Sequence, residues 1–279
     1  SAGIAGVTIR NGRRQGSGSG GGIKNRGSLV VLNCVVEDNS TLNGGGGIYN
    51  ESLLNVIGST IAANRASLNG GGIYSSGTLL LSFSTIRANL ALDNFGQGGG
   101  LYLSGPSGVR NTTISNNSAN NGGGLLTISD LTVVNSTIAY NRANRDGAGL
   151  FNFGTTSMYS TTVVGNDADY DEVDGGTGGG VFADTTGGHR LITVNSLIAR
   201  NTLRTTLVYS ECSGTLEVYG SNRLGDFNGC TFAGNGSAAV GVVSRSSFGA
   251  LDDNGGTTLS IALLAGSAAI DATTTQGCI

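Results

Sequence analysis

The sequence predicts an all-β chain wound into a right-handed parallel β-helix of about eight coils with an irregular C-terminal cap. Three observations predict it: a block of about 25 residues that recurs along the chain, two residue ladders that hold one register through it, and short β-branched runs in a composition of 50 Gly and 1 Pro. A period in this range marks a solenoid, in which each repeat packs on its neighbours.

The glycine runs set the register. They end at Gly22, Gly47, Gly72, Gly100, Gly124, Gly149 and Gly180, and each is followed at once by Ile23, Ile48, Ile73, Leu101, Leu125, Leu150 or Val181. The steps are 25, 25, 28, 24, 25 and 31 residues, so two coils carry short insertions. A second ladder runs in step, with Val36, Ile61, Ile86, Ile114, Ile138, Val163 and Ile198 each three residues before Asn39, Asn64, Asn89, Asn117, Asn141, Asn166 and Asn201.

Within a coil, runs such as Ser84-Thr85-Ile86 and Leu131-Thr132-Val133-Val134 alternate with period two and show no helical stripe. Repeated helix pairs are excluded, because Gly in a helix interior costs about 1 kcal/mol each. A coil of about 25 residues suits three short strands and three turns, each strand pairing in parallel with its equivalent about 4.8 Å away. The right hand follows from the general preference of parallel crossovers. Gly is selected where a bend needs positive φ or close backbone approach. Asn tolerates the left-handed region, and its amide can bond the Asn above and below. The inward Ile, Leu and Val then form continuous columns, and all these ladder residues read as structural. Gly16-Ser17-Gly18-Ser19-Gly20 lacks the strand–loop–helix context of a phosphate loop.

The repeats occupy residues 1–201, and residues 202–279 read as terminal coils and a cap. Eight coils amount to about 40 Å of stack. Only 12% of residues are charged, Lys24 is the sole lysine and the net charge is −3, which argues against a nucleic-acid partner needing a basic face. No apolar run approaches 18 residues, so no membrane span is expected. No leader peptide is recognisable, and a secreted form is expected to have lost it.

Beyond Asn201 the character changes: Glu211-Cys212-Ser213-Gly214, Gly220-Ser221-Asn222-Arg223-Leu224-Gly225-Asp226, Gly229-Cys230-Thr231-Phe232, Leu251-Asp252-Asp253-Asn254-Gly255-Gly256-Thr257-Thr258-Leu259 and Ala262-Leu263-Leu264-Ala265-Gly266-Ser267-Ala268-Ala269-Ile270-Asp271-Ala272. These segments, with the repeats before them, resemble bacterial right-handed β-helix surface proteins of the choice-of-anchor Q type, often headed by a CSLREA motif. The resemblance covers essentially the whole chain; the Gly-Gly-Gly-Ile-Tyr-Asn repeat alone is also similar to chlamydial polymorphic outer-membrane proteins. The chain departs from the family pattern at Thr257 and Ala268, where proline is usual, and at Thr273, where glycine is. The family head is missing, since Val7-Thr8-Ile9-Arg10-Asn11 looks like the middle of a helix. An uncovered first coil exposes unpaired backbone groups, and a head-to-tail neighbour covering it would give an open filament.

The family's helix ends in a cysteine-bracketed segment, and Cys212 and Cys230, 18 residues apart, are expected to pair there, which favours an extracellular or cell-surface location. Cys34 takes the column position held elsewhere by Ser59, Ser84, Thr112, Ser136, Thr161 and Ser196, and so reads as a small buried residue. Cys278 is too far away to pair with it within one chain, and an intermolecular Cys34–Cys278 bond is the alternative weighed.

Several surface candidates remain. Tyr49, Tyr74, Tyr102, Phe151 and Phe182 follow the inward aliphatics and form an outward aromatic stripe, suited to sugar rings or a protein neighbour, or to stacking that stabilises the sheet. Thr60, Thr85, Thr113, Thr137 and Thr162 form an outward hydroxyl column faintly like an ice-binding face. Asp167, Asp169, Asp171 and Asp174 have the alternate spacing that lets carboxylates converge on calcium, the one cofactor considered. Asp146 and Asp174 are the catalytic candidates for a polysaccharide lyase or glycoside hydrolase, with Arg142 and Arg145 nearby. The carboxylates do not recur in register and His189 is the only histidine. The reading is therefore a non-enzymatic secreted or cell-surface structural or adhesive module, self-associating end to end or binding other surface proteins or glycans, with the β-helix lyase as its rival.

Overall fold

Short runs of alternating aliphatic and polar residues pair with their equivalents one repeat on, and the computed structural model is an all-β parallel β-solenoid of about nine turns. It describes residues 2–16, 18–173, 175–184, 186–235 and 240–270. One coil consists of the strands Ile23–Asn25, Leu29–Leu32, Val35–Glu37 and Ser40–Thr41. The following coils repeat that order as far as Thr202–Leu203, and the registers follow the ladders: Ile23 faces Ile48, which faces Ile73, and Val36 faces Ile61, which faces Ile86.

Four strands per coil replace the three expected. The first two belong to one 17-stranded sheet, while the third and fourth build 10- and 9-stranded sheets. A side chain makes the extra break: the Asn25 Oδ1 accepts from the Gly27 amide at 3.1 Å, and Asn50 does the same to Ser52 at 3.2 Å, bending the chain two residues on. In the coil that carries Gly214 at this position, the two strands run together as Cys212–Tyr219. Coiling also continues past the last Asn of the ladder, as Cys212–Tyr219 with Asn222–Leu224 and then Cys230–Gly234 with Val240–Val242. These coils lack glycine runs, which is why the sequence count stops near eight.

The core is a set of parallel columns. Ile48, Ile73, Leu101, Leu125 and Leu150 fill one and Val36, Ile61, Ile86, Ile114 and Ile138 another, all fully buried. Burying such a side chain contributes about 1.5–3 kcal/mol. The fourth strand is narrower and takes Ala66, Ala91, Ala119, Ala143 and Ala168 inward.

The glycine runs do two jobs. Gly45 sits at φ +70°, and a Cβ there would lie 2.5 Å from the Ile48 carbonyl oxygen. Its neighbour Gly46 has no room at all, since a Cβ would come within 2.3 Å of the Gly71 carbonyl in the next coil. The equivalent of Gly46 before the longest insertion is Ala148, whose methyl packs with Ala143 and Ala168.

The asparagine ladder is a continuous buried chain of amides. Each Nδ2 donates to the next Oδ1 at 2.9–3.0 Å, from Asn39 through Asn64, Asn89, Asn117, Asn141 and Asn166 to Asn201. Each second Nδ2 hydrogen goes to a strand carbonyl, as Asn89 to Ile61 at 2.9 Å. Ser59, Ser84, Thr112 and Ser136 form a parallel hydroxyl ladder, each accepting the amide of the coil before.

Residues 243–270 turn back along the side of the stack. Phe248–Asp252 and Ser260–Leu263 form an antiparallel hairpin. Val243 and Phe248 pack on Ala199, with Leu197, Ile261 and Ala269 around them. The hairpin's far end is tied to the middle of the solenoid, where Thr113 Oγ1 donates to the Leu259 carbonyl and Thr258 Oγ1 to the Asn111 carbonyl at 3.4 Å. This segment is a lateral strap, whereas the sequence reading makes it an end cap.

Candidate functional site

The aromatic stripe is present, and its rings stack on one another. Tyr49 and Tyr74 lie 4.8 Å apart at 13°, Tyr74 and Tyr102 5.0 Å at 14°, and Phe151 and Phe182 4.6 Å at 10°. The spacing is that of the strands, so each ring covers the face of the next. Leu126 interrupts the series and is buried. The Lys24 ammonium sits 5.0 Å above the Tyr49 ring and Phe153 meets Phe151 edge-on, closing further faces. Burial pushes the Tyr49 and Tyr102 phenols above their ordinary value, each reinforced by Tyr74. Phe151 is buried, where the sequence reading expects it outward, and the stacked pairs cover the faces a sugar would use.

The threonine column is also partly covered. Thr60, Thr85 and Thr162 remain half-exposed, but the strap buries Thr113 and Thr137. A cleft of about 300 Å³ remains between strap and column, lined by Asn111, Asn135, Thr137, Ser160 and residues 256–261. The outward hydroxyl column is therefore interrupted at Thr113 and Thr137.

The acidic insertion is dispersed. Asp167 stands on the fourth-strand sheet, accepting from Thr202 Oγ1 at 2.9 Å with Arg204 4.0 Å away. Asp169 turns inward at φ +55°; burial, with Asp171 and Glu172 nearby, raises its pKa, and the Gly175 and Thr205 amides offset part of that. Asp171 accepts from the Val173 amide at 3.3 Å. Arg142 and Arg204 instead close over the Tyr170 ring, at 4.5 and 5.7 Å. Among the described residues no three His, Cys, Asp or Glu side chains converge as metal ligands, and Asp174 lies outside them. Asp146, the other catalytic candidate, accepts the Thr177 amide at 2.8 Å and its hydroxyl at 2.9 Å, and so ties one coil to the insertion of the next. His189 lies 3.6 Å from Asp184 and edge-on to Phe153.

Cys212 and Cys230 form the expected disulfide, with Cα atoms 5.3 Å apart on adjacent rungs. Cys34 is 1% exposed, its thiol donating to the Leu32 carbonyl at 3.3 Å. A bond to a second chain would first require the coil above it to lift, and its weighed partner Cys278 lies outside the described residues. Glu211 is the structural residue that sequence reasoning missed. Its buried carboxylate accepts from Asn201 Nδ2 at 2.7 Å, the Asn201 amide at 3.1 Å and the Arg200 amide at 3.0 Å, closing the asparagine ladder. The available signal was its place beside Cys212, one step after the ladder runs out.

No family model matches the chain, no curated protein matches it, and no solved structure matches it. No helix of the described residues is long and apolar enough to cross a membrane.

Proposed function

We propose that this chain is a non-enzymatic structural or adhesive rod of a cell surface or extracellular assembly, of the kind its terminal segments resemble. One observation carries the reading: the residue types that recur in register are engaged in holding coil to coil. The Asn amides bond each other, the hydroxyls accept the preceding coil's backbone amides, and the Tyr and Phe faces cover one another. Asp146, a catalytic candidate, and Asp167 are likewise engaged in tying loops. The disulfide supports an oxidising compartment.

End-to-end association is supported by charge. Up to residue 110 the chain has eight Lys and Arg against four Asp and Glu; beyond it, seven against fourteen. A basic half and an acidic half attract when copies align head to tail, and a heterologous contact of that kind propagates without closing. Negative-stain electron microscopy at low and high salt tests this. Fibres that shorten with salt are expected; single rods at both ionic strengths refute the assembly, and uronate or reducing sugar released from a polysaccharide panel refutes the non-enzymatic reading.

A further inference from the structure

Near the first coils the fourth-strand sheet presents a groove with apolar and basic walls. Its register places Leu42 and Leu92 two rungs apart with the small Ser67 between them, which leaves a notch with apolar walls. Leu42 is 60% exposed and Leu92 49%, high for leucines at the edge of a stack whose inward aliphatics are almost all buried. The notch opens into a cavity of about 410 Å³ whose other wall is built from Arg13, Arg14 and Arg65. Arg13, Ser40 and Arg65 occupy consecutive rungs on one face, so the two guanidinium stems flank a hydroxyl. Among the described residues none of these three arginines has a carboxylate within 4.0 Å, which leaves their charges open to an anion. The volume falls in the range of small-molecule sites, which pair apolar walls with a few polar groups.

We propose that this groove binds a single-chain anionic amphiphile, with the acyl chain in the Leu42–Leu92 notch and the acidic head on Arg13 and Arg65. Guanidinium groups suit this role because their planar forks engage carboxylate or phosphate oxygens in pairs. The notch by itself would fit an uncharged chain, and the arginines by themselves a free anion; their adjacency selects a molecule having both. An acidic peptide, including the acidic insertion of a second copy, is the competing occupant. It would need the arginines but would not need the gap left by Ser67.

The test is calorimetric titration of the full chain with dodecyl phosphate below its micelle-forming concentration, alongside inorganic phosphate and dodecyl maltoside. Saturable binding of dodecyl phosphate is expected, at least tenfold tighter than either control. Arg65→Ala is expected to weaken it about tenfold, the worth of one charge-assisted hydrogen bond. Ser67→Leu, which fills the notch from a surface position, is expected to weaken it about as much while leaving circular dichroism and the urea midpoint unchanged. Equal affinity for inorganic phosphate, indifference to Ser67→Leu, or no saturable binding overturns the proposal, as does concentration-dependent dimerisation that requires Arg65 and is not displaced by dodecyl phosphate.

Discussion

Truncating one rung of the asparagine ladder tests whether the buried amides hold the stack. Asn89 donates to Asn117 Oδ1 at 3.0 Å and to the Ile61 carbonyl at 2.9 Å, and its Oδ1 accepts both the backbone amide and the Nδ2 of Asn64, each at 3.0 Å. Asn89→Ala removes all four bonds. Asn117 Oδ1 keeps a partner in the Asn89 amide at 2.9 Å, but two Asn64 donors lose theirs in a site closed to solvent. At about 1–3 kcal/mol for each orphaned buried group, plus the space left by the side chain, the expected loss is about 3–5 kcal/mol. Asn89→Asp is expected to be worse, because the carboxylate cannot donate and brings an uncompensated charge. Urea unfolding followed by far-ultraviolet circular dichroism reads the loss, with the outward Asn55→Ala as a control expected within about 0.5 kcal/mol of the parent. A loss below about 1 kcal/mol for Asn89→Ala at unchanged m-value would refute the reasoning, since the ladder would then be a consequence of stacking instead of a cause.

Other expectations follow from the same geometry. Gly71→Ala places a Cβ 2.5 Å from the Gly99 carbonyl oxygen, backbone against backbone, and is expected to abolish soluble folded protein, whereas Ala148→Gly is expected to fold, as expression and thermal melts will show. Reducing Cys212–Cys230, or replacing both by Ser, removes a constraint on an 18-residue loop and is expected to lower stability by about 3 kcal/mol, with hydrogen exchange rising first in residues 212–234. Arg190 donates to Glu217 through Nε at 2.6 Å and through Nη2, holding the Glu217 carboxyl below its usual range. That pairing stabilises the fold above the ordinary Glu value and is lost as pH falls through the depressed one, so Glu217→Gln and parent should converge in acid melts. Asp169 has the opposite sign: its raised carboxyl destabilises as pH rises through the folded-state value, so Asp169→Asn is expected to raise the melting temperature at neutral pH and to have no effect in acid.

The solenoid was legible because its physics is local and repeated. Ile48, Asn64 and Gly46 each meet their own kind one coil away, so a period in the sequence is a contact in space. The extra strand break was not legible, since Asn25 reads as part of a strand until its side chain is seen bending the next residues. The strap was not legible for a different reason. Thr113 meets Leu259 across 146 residues, one partner from an outward column and the other from a segment without period, and nothing in either predicts the pairing. The aromatic residues recur in register in the sequence, but whether their faces were free depended on a 4.8 Å spacing that only the stacked coils supply. Asp146 shows the same limit, because carboxylate spacing cannot tell a catalytic group from one holding Thr177.

The ladder that ends at Glu211 also sets where the molecule can grow over evolution. Each amide passes its hydrogen in one direction, from the coil of Asn39 toward that of Asn201, so every interior coil presents an acceptor to the coil before it and a donor to the one after. Duplicating any such coil reproduces both joints, and the chain can lengthen by a unit without altering a neighbour. The last joint is different, because an amide hydrogen there meets a carboxylate that donates nothing onward. Lineages descended from this sequence should therefore vary in the number of coils upstream of that carboxylate and keep the segment after it in a single copy.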